Sequence, residues 1–183
     1  MPRLLLHACC APCSVAVIDE LRQSSDLTVI FYNPNIFPLA EYEKRKAEVV
    51  RVCAGWGVPM VDLDYRPVEW ESVCGGGADV KERGPRCERC IRLRLDRAAA
   101  YAKENGFELF ATSLSSGRQK STLMVNAQGQ AAAEDYGIKF LDTDWKKGGR
   151  TERAATLIRD LNIYRQDYCG CRFSLGAKTS RKL

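Results

Sequence analysis

The chain has 183 residues, of which 45% are hydrophobic and 28% charged, with a formal net charge of +5. This length fits one domain with one core, and the ordinary globular composition excludes disorder or fibrous structure for the chain as a whole. No apolar stretch approaches the roughly 20 residues of a membrane span. The unusual feature is nine cysteines beside a single histidine.

Apolar runs of strand length alternate along the chain with amphipathic stretches, a pattern typical of a mainly parallel α/β sheet flanked by helices. The five predicted strands are Leu4–Ala8, Leu27–Tyr32, Val58–Asp62, Glu108–Thr112 and Lys139–Asp142. The five predicted helices are Pro12 to about Gln23, Ala40–Gly55, Cys87–Asn105, Ser121–Tyr136 and Arg150–Leu161. Residues 66–86 are expected to form an irregular excursion. We therefore predict a single α/β domain over residues 1–183, with a cysteine-containing C-terminal extension at about 162–183 that has no strong periodicity.

The N-terminus is interpreted as part of the mature protein, because the three leucines at residues 4–6 fall short of the about 7–15 apolar residues of an export signal. We therefore expect a cytoplasmic protein. In the reducing cytosol, many cysteines are typical of metal ligands or catalytic thiols rather than of a disulfide framework.

Seven of the nine cysteines fall into three short groups: Cys9-Cys10-x-x-Cys13, Cys87-x-x-Cys90 and Cys169-x-Cys171. The first group follows the first strand, at the edge where open parallel sheets bind ligands. The second group opens a helix, whose dipole and free N–H groups lower thiol pKa values and favour metal binding. Of the other two, Cys53 is interpreted as a small core residue, and Cys74 as core or loop filler without an assigned role.

Three kinds of site fit these thiols. We favour a 4Fe-4S cluster, because it takes four cysteines and its separated iron corners suit the divergent side chains expected of adjacent Cys9 and Cys10. A zinc ion also takes four thiolates, but structural zinc pairs usually lie ~15–20 residues apart, far closer than here. A metal-free dithiol is the third alternative. We predict that the cluster ligands are Cys9, Cys10, Cys87 and Cys90.

Four segments occur in order along the chain: His7–Cys13 (HACCAPC), Phe31–Ile36 (FYNPNI), Cys87–Leu95 (CERCIRLRL) and Tyr164–Cys171 (YRQDYCGC). Together they resemble the QueH-type epoxyqueuosine reductases, over nearly the whole chain. The resemblance implies a Rossmann-like, nucleotide-hydrolase-like architecture. It also implies an iron–sulfur oxidoreductase that acts on tRNA carrying epoxyqueuosine in the anticodon loop, reducing the cyclopentane epoxide to the alkene of queuosine with loss of water. The electron donor is not identified by the sequence.

Two segments depart from the pattern of this family. Phe37 stands where members commonly have histidine, and Ser116-Gly117-Arg118 replaces a usual Ser-Pro-Tyr. The roles of those family side chains in substrate contact therefore do not transfer to this chain.

Reducing an epoxide to an alkene needs two electrons and an acid for the departing oxygen, whereas a cluster normally passes one electron at a time. We therefore predict a second catalytic centre from the remaining thiols Cys13, Cys169 and Cys171, with Asp144, which matches an Asp-aromatic pair in the family. In one form these groups hold a further metal, iron first among the choices, that polarises the epoxide oxygen. In the other, Cys169 and Cys171 cycle between dithiol and disulfide. A solvated loop acid or helix cap is the alternative for Asp144.

Substrate contacts are predicted from two features. Seven basic and three acidic residues lie between positions 81 and 97, which favours a phosphate-binding face that includes Arg92 and Arg94, against the alternative of a solvated face. The loop after the second strand supplies Asn33 and Asn35, and Tyr42 follows at helical spacing. Two further residues have other interpretations: Arg45 as a surface residue, and His7 as either a satisfied strand-end histidine or a hydrogen-bond partner of the cluster.

Two rival functions use the same features. A zinc-stabilised RNA-binding module without redox chemistry would share the basic face. An ATP-dependent tRNA thiolase would share the sheet, but it needs a glycine-rich phosphate loop after the first strand, where the cysteines and Pro12 stand.

Overall fold

A computed structural model of the chain describes residues 1–76, 82–118 and 120–180. Five parallel strands form one sheet: β1 (Arg3–His7), β2 (Asp26–Phe31), β3 (Met60–Asp62), β4 (Leu109–Thr112) and β5 (Lys139–Phe140). Their order across the sheet is β3-β2-β1-β4-β5. The predicted five-stranded parallel α/β fold is therefore confirmed.

Seven α-helices are described: α1 (Ala11–Leu21), α2 (Leu39–Gly55), α3 (Pro67–Cys74), α4 (Pro85–Glu104), α5 (Thr122–Tyr136), α6 (Arg150–Asp160) and α7 (Arg172–Ser180). A 3₁₀ turn at Ser113–Ser116 follows β4. The chain moves outward from β1 to β3, then returns to β4 on the other side of β1. This reversal opens a crevice beyond the carboxyl ends of β1 and β4, the place where open α/β sheets bind ligands.

The central strand is buried on both faces, as expected for a parallel sheet covered by helices. Leu4 and Leu6 belong to one apolar cluster with α1, α2 and α6. Leu5 points the other way into a second cluster with α4 and α5. This alternation of period two makes β1 a rigid base for the residues that follow it.

Two segments differ from the sequence predictions. The expected irregular excursion at 66–86 is wrong over Pro67–Cys74, because proline suits a first helical turn and Trp70 and Cys74, one turn apart, are both buried. The C-terminal extension contains α7, which begins directly after Cys171.

The edge strand β5 is shorter than predicted. It ends at Phe140 instead of Asp142, although the Leu141 amide still donates to the Phe110 carbonyl at 2.8 Å.

Candidate metal and redox site

The first cysteine group lies in the crevice, at the junction of β1 and α1. Cys10 is the extended residue before α1, and Pro12 occupies the first turn of the helix. The sulfur atoms of Cys9, Cys10 and Cys13 all lie within 4.8 Å of one another, and those of Cys9 and Cys10 are 3.7 Å apart. The expected divergence of the adjacent pair is therefore wrong in this structure, since the turn into the helix brings the three sulfurs together.

The three thiols do not share one electrostatic state. Hydrogen bonds from Cys10 and Cys13 hold the pKa of Cys9 well below its ordinary value, while hydrogen bonds to Cys10 and Cys9 raise the pKa of Cys13. From the C-terminal segment, Gln166 Nε2 donates to Cys10 Sγ at 2.8 Å. The group thus favours one thiolate that is stabilised by two neighbouring thiols.

The second cysteine group lies in the first two turns of α4. Cys87 Sγ accepts a hydrogen bond from the Arg83 amide at 3.3 Å. Cys90 is buried and packs with Trp70 and Cys74 of α3. A hydrogen bond with the Cys74 thiol holds the pKa of Cys90 well below its ordinary value. Cys74 is a buried core residue, as one of its two interpretations predicted. The sequence analysis did not predict its contact with Cys90, for which the i, i+4 spacing of Trp70 and Cys74 was the available signal.

The third group is held by the loop after β2 and by α2. The Arg45 guanidinium donates to the carbonyl oxygens of Cys169 at 3.0 Å and of Tyr168 at 3.2 Å, and the Phe37 amide donates to that of Gly170 at 2.8 Å. Gly170 has φ +136°, and a Cβ there would lie 3.1 Å from Arg45 Nη1. The expectation that Arg45 lies on the surface is wrong. Arg45 is buried, because its guanidinium is hydrogen-bonded to this turn.

The second and third groups meet at a cleft that is open to solvent. Its thiol-bearing lining residues are Cys87, Cys169 and Cys171. Lys120 also lines it and places Nζ 3.1 Å from Cys169 Sγ. All nine cysteines are free thiols, so Cys169 and Cys171 are unbridged in this structure.

Arg94 lies at a different position from the predicted phosphate-binding face. It is only 2% exposed, and thiols from all three groups, Cys9, Cys90 and Cys169, attract its charge. Arg92 is half-buried and pairs with the carboxylates of Asp96 and Asp135. Of the two arginines predicted to bind phosphate, Arg94 is therefore an internal cation and Arg92 is neutralised. The exposed cations of this run are Arg83, Arg89 and Arg97, and Lys81 lies outside the described residues.

The other predicted substrate contacts are buried. Asn33 Nδ2 donates to the Ala8 carbonyl at 2.9 Å, which ties the loop to the end of β1. Asn35 is 4% exposed, and its Oδ1 has no hydrogen-bond partner. Tyr42 packs against Phe31 and Tyr65 in the core. Direct substrate contact by these side chains would require the loop to move.

Asp144 lies in the turn before α6, apart from the Cys9, Cys10 and Cys13 sulfurs. Its carboxylate accepts hydrogen bonds from the Lys146 amide at 3.1 Å and from Thr122 at 3.3 Å. The Lys146 amide is the main cause that holds the pKa of Asp144 below its ordinary value. The side chain therefore caps a turn here, as the alternative interpretation predicted.

His7 is fully buried at the end of β1. Its Nε2 lies 3.0 Å from the Tyr32 carbonyl and its Nδ1 lies 3.0 Å from Thr112 Oγ1. Burial lowers the pKa of His7 to about 4. The ring is thus neutral at pH 7, with Nε2–H donating to the carbonyl and Nδ1 accepting from Thr112. Cys53 is buried in the core as predicted, with no metal ligand group around it among the described residues.

The donor set fits a metal group that prefers sulfur. The thiols that converge at the β1 end are Cys9, Cys10 and Cys13, whereas the predicted ligands Cys87 and Cys90 lie on α4 outside that group. The buried Nη2 of Arg94 has no hydrogen-bond partner. Thiolates bind iron–sulfur clusters and zinc, and a buried cation offsets the charge of such a site.

The fold and site together define a Rossmann-like α/β protein with a cysteine triad that could hold a metal ion. No helix in the described ranges is long and apolar enough to cross a membrane. A sequence model of the family described as "Epoxyqueuosine reductase QueH" matches residues 4–177. The chain belongs to this family.

Relatives that carry this family name match the chain over most of their length. The chain is 43% identical to the epoxyqueuosine reductase QueH of Histophilus somni over 175 residues, which cover 94% of this chain and 72% of the relative. It is 39% identical to that of Thermotoga maritima over 178 residues, which cover 96% of this chain and 91% of the relative.

Two solved structures share the fold at low sequence identity. A predicted subunit of a tRNA methyltransferase from Methanocaldococcus jannaschii is 14% identical, with a TM-score of 0.54 over 83% of this chain and 74% of that chain. The U34-tRNA thiolase NcsA from Methanococcus maripaludis, solved with its [4Fe-4S] cluster, is 13% identical, with a TM-score of 0.53 over 98% of this chain and 64% of that chain. These similarities confirm the Rossmann-like architecture.

Proposed function

We propose that this protein reduces epoxyqueuosine in tRNA to queuosine in the cytoplasm, with a 4Fe-4S cluster held by Cys9, Cys10, Cys87 and Cys90. The proposal is carried by one observation: a chain of this family has three thiol groups at one end of its sheet. A zinc-stabilised RNA-binding module is disfavoured, since it gives no reason for membership of a reductase family.

The overall reaction consumes two electrons and two protons: both C–O bonds of the epoxide break, a C=C bond forms, and the oxygen leaves as water. When bound, the cluster supplies low-potential electrons one at a time. The residues of the chain must therefore hold the epoxide beside the thiols and supply protons to its oxygen. The cleft beside Cys169 and Cys171 is open to solvent, and it is the side from which we expect the epoxide to approach these thiols.

We propose that Cys13, Cys169, Cys171 and Asp144 form the second centre, in one of two forms. In the metal form, Asp144 must give up its hydrogen bonds to Thr122 and the Lys146 amide to reach the ion. In the dithiol form, Cys169 and Cys171 give two electrons and two protons and become a disulfide. The position of Lys120 supports the dithiol form, because its Nζ lies 3.1 Å from Cys169 Sγ and can donate a hydrogen bond to that sulfur.

Recognition of tRNA is proposed to begin at the rim of the cleft and to involve the 33–38 loop. Asn35 is poised for this role, because its buried Oδ1 has no partner while its Nδ2 lies against the Cys169–Cys171 turn. Movement of the loop would release both the asparagines and the turn. Arg92 becomes available to a phosphate only if it leaves Asp96 and Asp135.

The proposed activity is tested by incubating cluster-loaded protein, a strong reductant and tRNA that carries epoxyqueuosine, followed by nucleoside analysis. We expect queuosine to replace the epoxide. Persistence of the epoxide with an intact, reducible cluster would overturn the proposal.

The second centre is tested separately with Cys169→Ala and Cys171→Ala. Both variants should keep the cluster and lose turnover, since the cluster ligands lie elsewhere. Iron above four per chain that falls in both variants and in Asp144→Ala selects the metal form, whereas iron equal to wild type selects the dithiol form. Turnover at the wild-type rate would leave Cys169-Gly170-Cys171 as a structural turn.

A further inference from the structure

Arg94 is a charged side chain buried in the thiol-rich end of the sheet. Moving a guanidinium out of water is costly unless opposite charge or hydrogen bonds compensate it. Arg94 is 2% exposed, yet none of the ion pairs between carboxylates and bases in the described ranges includes it. The compensation must come from other groups.

Hydrogen bonds provide only part of that compensation. Arg94 Nε donates to the Cys90 carbonyl at 3.0 Å, and Nη1 lies 3.5 Å from Asn33 Oδ1. Nη2 is buried without a partner. Because Asn33 is itself anchored to the Ala8 carbonyl, the guanidinium is fixed between the end of β1 and the first turns of α4.

The remaining compensation comes from sulfur. The groups that attract the charge of Arg94 are thiols, in decreasing order Cys90, Cys169, Cys9 and Cys74. Lys120 is another cation of this region and interacts with Cys169 and Cys90 from the cleft side. Arg94 and Lys120 thus face sulfur, whereas Arg92, two residues from Arg94, pairs with carboxylates.

We propose that Arg94 is the internal counter-cation of the iron–sulfur cluster and raises its reduction potential, with a weaker contribution from Lys120. This inference rests on the proposed function, because it assumes that the cluster binds at Cys9 and Cys90. Four thiolates outweigh the positive charge of the iron–sulfur core, and reduction adds one more negative charge. A buried cation therefore stabilises the reduced state more than the oxidised state, and low local polarity strengthens the effect. In this proposal Arg94 acts on the reaction through the charge of the cluster and does not contact the substrate.

The test is a redox titration of the anaerobically loaded protein. The electron paramagnetic resonance signal of the reduced cluster is the readout at each potential. We expect Arg94→Gln to lower the equilibrium constant for one-electron reduction at least about tenfold, which corresponds to a fall of about 59 mV in midpoint potential. Arg94→Lys should recover most of this loss because it keeps the charge. Arg97→Gln is the matched control, since Arg97 is exposed on the same helix and should leave the potential unchanged.

The outcomes separate the inference from the proposed function. A wild-type protein that assembles no cluster overturns both. If the wild type loads its cluster and folded Arg94→Gln has an unchanged midpoint potential, the inference alone is overturned. It is also overturned if the midpoint potential falls equally in Arg94→Lys and Arg94→Gln, since the shape of the side chain and not its charge would then be the cause. If Arg94→Gln does not fold, Lys120→Gln is measured instead. A fall in midpoint potential smaller than that expected for Arg94→Gln supports the inference, and an unchanged midpoint potential contradicts it.

Discussion

The two ends of α1 use charge in opposite ways. At the C-terminal end, Asp19 accepts from Arg22 at 2.9 Å and from Arg153 of α6 at 2.7 Å, and Glu20 pairs with Arg150. At the N-terminal end, the Cys9 group faces Arg94 without a carboxylate among its main electrostatic partners. Paired carboxylates thus join α1 to α6, whereas the cations that face sulfur favour an anionic group at the other end of α1.

The largest effect, on cluster content and turnover, is expected from a change at the sulfur end of α1. Cys10→Ala removes one predicted cluster ligand and a neighbour that lowers the pKa of Cys9, so most of the cluster absorbance and all turnover should be lost. Cys53→Ala is the matched control, because it removes a buried core thiol from α2 and should keep the cluster. Anaerobic iron and sulfide analysis measures both variants, and full retention in Cys10→Ala would exclude Cys10 from the ligand set.

A smaller effect, on stability alone, is expected at the carboxylate end. Asp19→Asn removes the charge shared by Arg22 and Arg153 and should lower the free energy of unfolding by about 1–3 kcal/mol. Cluster content should not change, since Asp19 lies on the last turns of α1. Urea unfolding of the two proteins at pH 7 measures the difference, and a loss of cluster at unchanged stability would contradict the division of roles.

The Asp19 pairing also sets a pH dependence. Burial opposes ionisation, but hydrogen bonds from Arg22 and Arg153 still hold the pKa of Asp19 below its ordinary value. A lowered folded pKa means that the stabilisation is complete above the unfolded value of about 3.9 and is lost as the pH falls through the folded value. The stability gap between wild type and Asp19→Asn should therefore narrow below about pH 4, and a gap that widens in acid would contradict this assignment.

The smallest effect is expected at the exposed pair. The side chains of Arg150 and Glu20 are 26% and 44% exposed. Surface ion pairs contribute about 0–1 kcal/mol, so Glu20→Gln should lower the free energy of unfolding by less than Asp19→Asn. Urea unfolding at low and high salt measures it, and only the low-salt value should differ from wild type.

Local patterns in the sequence predict the frame of the site. Short-range spacing predicts strand β1 and the turn through Pro12, and the structure agrees. It also predicts that Cys87 and Cys90 lie at the start of a helix. The buried cations do not follow from spacing. In a helix, Arg92 and Arg94 look equally basic. Asp96 of the same helix and Asp135 of α5 pair with Arg92, whereas the opposite side of α4 places Arg94 among thiols.

The same reason explains the other differences. Arg45 reads as a surface residue of a charged helix, and its burial depends on the Cys169–Cys171 turn, which comes from the far end of the chain. Helix α3 is short and adjoins a glycine run, so its apolar pair Trp70 and Cys74 gives a weak periodic signal, and burial against α4 stabilises it.

Electron transfer from the thiol end of the sheet to the epoxide can be followed in a single sample. Protein whose cluster has been reduced, freed of external reductant, is mixed with tRNA that carries epoxyqueuosine, and the electron paramagnetic resonance signal and the nucleosides are followed together. The account predicts that queuosine forms while the signal of the reduced cluster declines. A reduced signal that persists beside unreacted epoxyqueuosine would contradict it.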